Sequence, residues 1–211
     1  MWKTFATGVI LIIAACFPAA AQNCSFGTQA GLSFGTAAIS QPSSANLDGL
    51  GFRSRSPDAG LHVGCDVRVS ASPFVVGLFG DYTWRNTEFS VTSSVLASSF
   101  SMGLSNTWTV GGRAGYALTN GAMPYALLGY TTTDVSYSVA PAGMPSTLRG
   151  MTYGGGIEIP VAPNLKLATE IRSTSYASTD LSSGLATLKT NEMAGLVRLS
   201  FSFGADAIPL K

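Results

Sequence analysis

The sequence predicts an all-β chain: a closed, eight-stranded antiparallel transmembrane β-barrel of up-and-down meander type, preceded by a cleaved signal peptide. Three observations predict it. Apolar and polar residues alternate with period 2 in one run after another. Every charge within the regularly alternating runs falls on the same one of their two faces. The connections between runs alternate short and long, as they do when turns line one rim of a membrane barrel and loops the other. Composition agrees: 46% of the 211 residues are hydrophobic and only 11% charged, when about 25% charge is usual in a soluble domain. An aromatic content of 10% with a formal net charge of +1 excludes the disordered class. The chain also lacks the Lys/Arg clusters that phosphate neutralisation requires, so no nucleic-acid partner is expected.

Residues 1–21 read as the signal peptide. Lys3 is a short basic n-region, Val9-Ile10-Leu11-Ile12-Ile13-Ala14-Ala15 an apolar h-region, and Ala19-Ala20-Ala21 a small-residue cleavage site before Gln22. Pro18 and the small residues around it cut the apolar run below the roughly 20 residues a spanning helix needs. The same segment carries Ile13-Ala14-Ala15-Cys16, the form of a lipidation box, which would instead leave an acylated Cys16 as the first residue. N-terminal analysis of the mature protein distinguishes the two. Residues 22–203 are then the barrel and 204–211 a short C-terminal tail. Loss of Lys3 makes the mature chain neutral.

The clearest strand is 61–69, where Leu61, Val63, Cys65, Val67 and Val69 alternate with His62, Gly64, Asp66 and Arg68. Phe74, Val76, Leu78, Tyr82 and Trp84 then oppose Asp81, Thr83 and Arg85; Trp108, Val110, Ala114, Tyr116 and Leu118 oppose Thr107, Thr109 and Arg113. Ile157, Ile159 and Val161 oppose Glu158, while Leu165, Leu167 and Ile171 oppose Lys166, Glu170 and Arg172. The last run sets Met193, Val197, Leu199, Phe201 and Phe203 against Arg198, Ser200 and Ser202. Less regular runs at 26–37 and 124–138 bring the count to about eight, an even number as bacterial barrels require. Short turns fall at 70–73, 119–122 and 161–164, and long polar connections near 39–57, 87–104, 139–148 and 175–190.

The uncharged face would be a large sticky patch in water. In lipid it is required, because a mid-bilayer charge there costs about 2–4 kcal/mol, and open edges are forbidden, so the sheet closes. Aromatics on this face gather at two levels, Phe26, Phe74, Tyr116, Phe201 and Phe203 near the turns and Tyr82, Trp84 and Trp108 near the loops. Two such belts form the interfacial girdles.

The stretches Val76-Gly77-Leu78-Phe79-Gly80-Asp81-Tyr82-Thr83-Trp84, Thr109-Val110-Gly111-Gly112-Arg113-Ala114-Gly115-Tyr116, Pro124-Tyr125-Ala126-Leu127-Leu128-Gly129-Tyr130 and Val197-Arg198-Leu199-Ser200-Phe201-Ser202-Phe203 resemble the small outer-membrane β-barrel family. That family includes the OmpA-like transmembrane domain and the opacity-type, "porin family" surface proteins. The resemblance implies a Gram-negative outer-membrane location reached through the outer-membrane assembly machinery, contact with membrane lipid and lipopolysaccharide, a monomer, and a host or surface ligand at the loops. It implies no enzyme and no cofactor.

The polar face supplies the candidate site. Asp66, Arg68, Asp81, Arg85, Arg113, Glu158, Lys166, Glu170, Arg172 and Arg198 are expected to point inward. A barrel of about eight strands is only wide enough inside for side chains to fill, so these charges are expected to pair and seal it. The rival function is a selectivity lining of a narrow passive channel. A soluble periplasmic barrel with its apolar face turned inward around a ligand is a third reading, and a salt wash separates it from a membrane protein. Cys24 and Cys65 are the only cysteines left after cleavage, so a bridge between them is expected in an oxidising compartment. Two thiols and a lone histidine do not make a structural zinc site. Gly31-Leu32-Ser33-Phe34-Gly35 matches G-x-S-x-G, but no helix follows to form the nucleophile elbow. A Cys24–Cys65 pairing would set His62 opposite Gly27, six residues along the strand from Ser33, or about 20 Å.

Overall fold

In the computed structural model, residues 22–40, 50–69, 72–93, 98–137, 146–181 and 186–204 are described, and the leader, the residues after Gly204 and the loop tips lie outside them. The regular structure among the described residues is all strand: β1 (Gln22–Ser40), β2 (Leu50–Arg68), β3 (Phe74–Arg85), β4 (Thr87–Ser93), β5 (Ser98–Tyr116), β6 (Met123–Tyr137), β7 (Thr147–Ala162), β8 (Leu165–Tyr176), β9 (Thr179–Leu181) and β10 (Ala186–Gly204). Each pairs antiparallel with its neighbour in sequence order, except that β4 joins only β5 and β9 only β10. β4 continues the stave of β3 and β9 that of β8, leaving eight staves, and β1 pairs with β10 to close them into a barrel. No described helix is long and apolar enough to cross a membrane, so the crossing is made by strands.

The stagger of the barrel follows from the register. Paired positions followed once around from Phe26 run through Val63, Gly80, Val110, Tyr130, Met151 and Ser175 to Asn191. Phe26's own partner across the closing seam is Phe201, ten residues further along β10. A fixed stagger of this kind tilts the staves against the barrel axis and sets the interior width.

The turns at one rim are tight for local reasons. Gly121 has φ +82 and Asn164 φ 64, the left-handed region that Gly and Asn enter most readily. Asn120 Oδ1 accepts the Ala122 N–H at 3.1 Å, and the Asn164 carbonyl accepts that of Ser202 at 2.7 Å. At the other rim the staves run further than the alternation suggested. Stretches read as long connections at 39–57, 87–104 and 175–190 are largely strand: β2 starts at Leu50, β4 and β5 form a hairpin, and β9 and β10 continue pairing. Beyond the membrane the outer face of a strand meets water instead of lipid and need not be apolar, so Ser/Thr-rich stretches pair without the period-2 signal. The break between β3 and β4 at Asn86 lies where the register would set it against Pro57. Proline has no N–H to donate to a ladder. At the tail boundary Gly204 is still in β10, paired with Asn23.

Cys24 and Cys65 occupy directly opposed positions on β1 and β2 with Cα atoms 4.0 Å apart, and their sulfurs are bonded. The same register sets His62 opposite Gly27. Boiled protein should therefore migrate faster without reductant than with it, because a closed loop keeps the denatured chain compact. It should also show no titratable thiol beyond Cys16 where the leader is retained.

Burial divides the two faces as lipid demands. The outward face carries Phe26, Val76, Trp84, Trp108, Val110, Leu128, Tyr130, Met151, Tyr153, Ile171, Met193 and Val197, all exposed, while 23 polar or charged residues among those described are buried inside. A water-soluble barrel has the reverse arrangement, and this excludes the soluble ligand-binding reading.

Candidate functional site

The site is the lumen, and its turn-side half is crossed from wall to wall by ion pairs. Arg113 on β5 donates from Nε to Asp66 on β2 at 2.8 Å and from Nη1 to Glu158 on β7 at 3.1 Å. Lys166 Nζ reaches the other oxygen of Glu158 at 2.9 Å. Arg172 on β8 spans to Asp81 on β3 at 2.5 Å and also holds Glu170 through Nε at 2.6 Å. Arg198 on β10 binds Glu170 at 2.5 Å and donates at 3.1 Å to the Tyr125 hydroxyl, which itself donates to Glu170. His62 Nδ1 lies 2.5 Å from Asp81, so the carboxylate fixes the imidazole proton on that nitrogen. Buried ions persist only when paired, because removing one partner leaves an uncompensated charge.

Further toward the loops a hydroxyl belt takes over. Thr109, Thr131, Thr152 and Thr174, one on each of β5 to β8, are linked in series at 2.9, 2.5 and 2.7 Å. Above them Arg85 pairs with Glu192 and donates to Thr107 at 2.9 Å, Thr107 meets Thr133 at 2.8 Å, and Tyr176 bridges Thr133 and Glu192. Asp58 accepts the Ser33 hydroxyl at 3.1 Å. Inward-facing Met102, Leu104, Val135 and Leu148 are buried at the loop-side end.

Nine of the ten inward charges read from the sequence lie in this lumen, and one does not. Arg68 has the inward parity but is the last residue of β2 and is exposed, because the stave ends there and its side chain clears the rim. Asp58, Glu192, His62, Tyr125 and Tyr176 belong to the network and were not singled out for it. Asp58 and Glu192 sit beside stretches without alternation, which hid their parity. His62 was legible as an inward polar residue, though its pairing with Asp81 was not.

The aromatics divide by level as expected. Phe74 packs edge-on against Tyr116 at 5.3 Å near the turns, and Tyr82 against Trp84 and Trp108 at 4.8 and 4.5 Å near the loops. Exposed Phe34, Tyr130 and Tyr153 extend the loop-side belt, and Arg55 stacks over Phe34 at 5.6 Å.

Ser33 and His62 do not converge. Ser33 faces Ser56 and binds Asp58, whereas His62 faces Gly27 and binds Asp81, so G-x-S-x-G is here a strand sequence without a triad. No group of three or more metal-ligating side chains gathers among the described residues.

A closed barrel with an apolar, aromatic-edged exterior and a charged interior is a transmembrane barrel. The outer membrane protein beta-barrel domain family matches residues 7–201, and the chain belongs to it. The protein is therefore an outer-membrane barrel. Among solved structures it is similar to OprG from Pseudomonas aeruginosa (13% identity, covering 88% of this chain and 97% of that one, TM-score 0.51). It is also similar to Neisserial surface protein A (16%, 82% and 96%, 0.45) and to Ail, the attachment invasion locus protein of Yersinia pestis (13%, 82% and 97%, 0.38). At these identities the likeness concerns the fold alone. Among curated proteins, none matches the sequence.

Proposed function

We propose that this barrel is a non-conducting, non-enzymatic surface protein. It anchors its loop-side end at the cell exterior and serves envelope integrity or attachment through the loops. The observation that carries this reading is the bracing of the lumen. Arg172 to Asp81 crosses the lumen from β8 to β3, Arg113 ties β5 to β2 and to β7, and Arg198 holds Glu170 on the neighbouring β8 while reaching the Tyr125 hydroxyl on β6, and such cross-links occupy the space that a passing ion would need. Staves prolonged past the aromatic belt, with β4 and β9 at their ends, lift the loops clear of the lipid, where binding surfaces vary most freely. The outward Arg55, Arg149 and Lys189 are exposed on these extensions and suit the phosphates of lipopolysaccharide.

The test combines conductance with surface exposure. Purified protein in planar bilayers should give no reproducible single-channel steps. Protease added to intact cells should clip the loops, while unboiled samples keep the anomalous gel mobility of a closed barrel whose backbone groups are all paired. Discrete, voltage-independent steps would favour the narrow channel instead, with the interior charges as its lining.

A further inference from the structure

The two walls of the turn-side lumen differ in chemistry. Val75, Phe79, Met123, Tyr125 and Leu127, on β3 and β6, form one apolar cluster. The facing wall of β10, β1 and β2 carries buried polar atoms without a partner: Ser202 Oγ, Ser200 Oγ, Arg198 Nε, His62 Nε2 and Gln29 Oε1. All five residues are less than 5% exposed. An unpartnered buried polar atom carries an uncompensated desolvation penalty, and five on one wall call for a common partner.

Their register puts them in a line. Ser202, Ser200 and Arg198 are successive inward positions on β10. Gly27 separates Ser200 from His62, and Gln29 is the direct partner of Arg198. Alternate residues of a strand lie about 6.6 Å apart, too far for one hydroxyl to bond the next and more than one water spans, yet within reach of two waters in series with hydrogen bonds of about 2.8 Å. The line opens at the turn-side rim. There a cavity of about 50 Å³ is lined by Asn23, Asn164, Lys166 and Ser202 together with Gly121 and Pro160, room for one or two waters. It closes above Arg198, where the next inward residues of β10 are Leu196 and Ala194, both buried. The Leu196 side chain lies over Gly31.

We infer that the turn-side rim leads into a water-filled half-channel along the β10–β1–β2 wall, passing Ser202 and Ser200 and ending at Arg198 Nε, His62 Nε2 and Gln29 Oε1. Its ligand is a single file of water molecules admitted from the side of the short turns, the periplasm. The ion pairs block ions, Leu196 ends the polar line, and the apolar cluster keeps the file against one wall. Solvent thus reaches one end of the charge network and stops at it.

His62 is the only histidine in the sequence, which makes the test clean. Untagged mature protein, labelled at histidine and folded in lipid nanodiscs, is examined by NMR for magnetisation transfer from water to the ring Cε1–H and Cδ2–H. Transfer is expected although the side chain is buried, and its absence in the wild-type barrel overturns the inference. Ser200→Val with Ser202→Val should abolish the transfer, with unboiled gel mobility confirming closure, and Ser202→Val alone serves if the pair does not close. Undiminished transfer in a closed variant would overturn the route along β10. Leu127→Ala, on the opposite wall, should leave it unchanged, and loss there would move the water to the wrong wall. None of these readouts depends on conductance, so the half-channel and the non-conducting reading stand or fall separately.

Discussion

Replacing Arg172 by Met should destabilise the barrel by about 3–5 kcal/mol, the usual cost of removing one partner from a buried charge pair. Among the described residues Arg172 is the sole guanidinium paired with Asp81, at 2.5 Å, and one of two on Glu170. Once it is gone, Glu170 keeps Arg198 and the Tyr125 hydroxyl. Asp81 keeps only His62 and remains 2% exposed. The measurement is the denaturant midpoint of refolding in detergent or lipid. Adding Asp81→Asn should recover part of the loss, because an amide left in the lumen costs less than an unpaired carboxylate, and the difference between single and double variants gives the coupling. Lys166→Met is the contrast. Glu158 retains Arg113 at 3.1 Å, and the Lys166 side chain is 18% exposed at the rim, so the change should fall within about 1 kcal/mol. Equal, small effects at Arg172 and Lys166 would mean that the lumen is wet and screened throughout.

That contrast also shows what the sequence could and could not disclose. The parity of Asp81, Arg113, Glu158, Glu170, Arg172 and Arg198 was legible because each lies in a run whose other face must be apolar to meet lipid, and a one-residue slip would turn every charge outward. Who pairs with whom was not. Asp81 and Arg172 are 91 positions apart, and they meet because the stagger of the closed barrel brings β3 and β8 to a common level. Stagger is a property of closure, and no local pattern encodes it. The cysteine pair was a partial exception: two thiols in an exported chain imply a bridge, and the bridge sets the first hairpin's register. Asp58 and Glu192 were hidden for the opposite reason. They lie toward the loop-side end, where water replaces lipid at the outer face and removes the constraint that produces alternation. Arg68 had the correct parity, but parity says nothing of where a stave ends.

Substituting Ile171 by Arg should cost about 2–4 kcal/mol in a lipid bilayer, the penalty for a cation on the lipid face near the midplane. Ile171 is 62% exposed and is flanked across the ladder by Gly155 and Gly195, so no neighbouring side chain crowds the guanidinium and no interior contact is lost. Steric and packing effects are therefore small, and the sign of the change reports the solvent. In water the same substitution at an exposed strand position would stay within about 0.5 kcal/mol. Phe203→Arg, at the turn-side end of β10 beside Cys24, should fall to about 0–1 kcal/mol, because the penalty fades toward the interface. The pair is read from folding titrations into vesicles. A large cost at 171 with a small one at 203 places the aromatic belts at the two interfaces and the glycine-flanked isoleucine between them. Equal costs would instead shift the bilayer along the barrel, and a neutral Ile171→Arg would take that face out of lipid altogether.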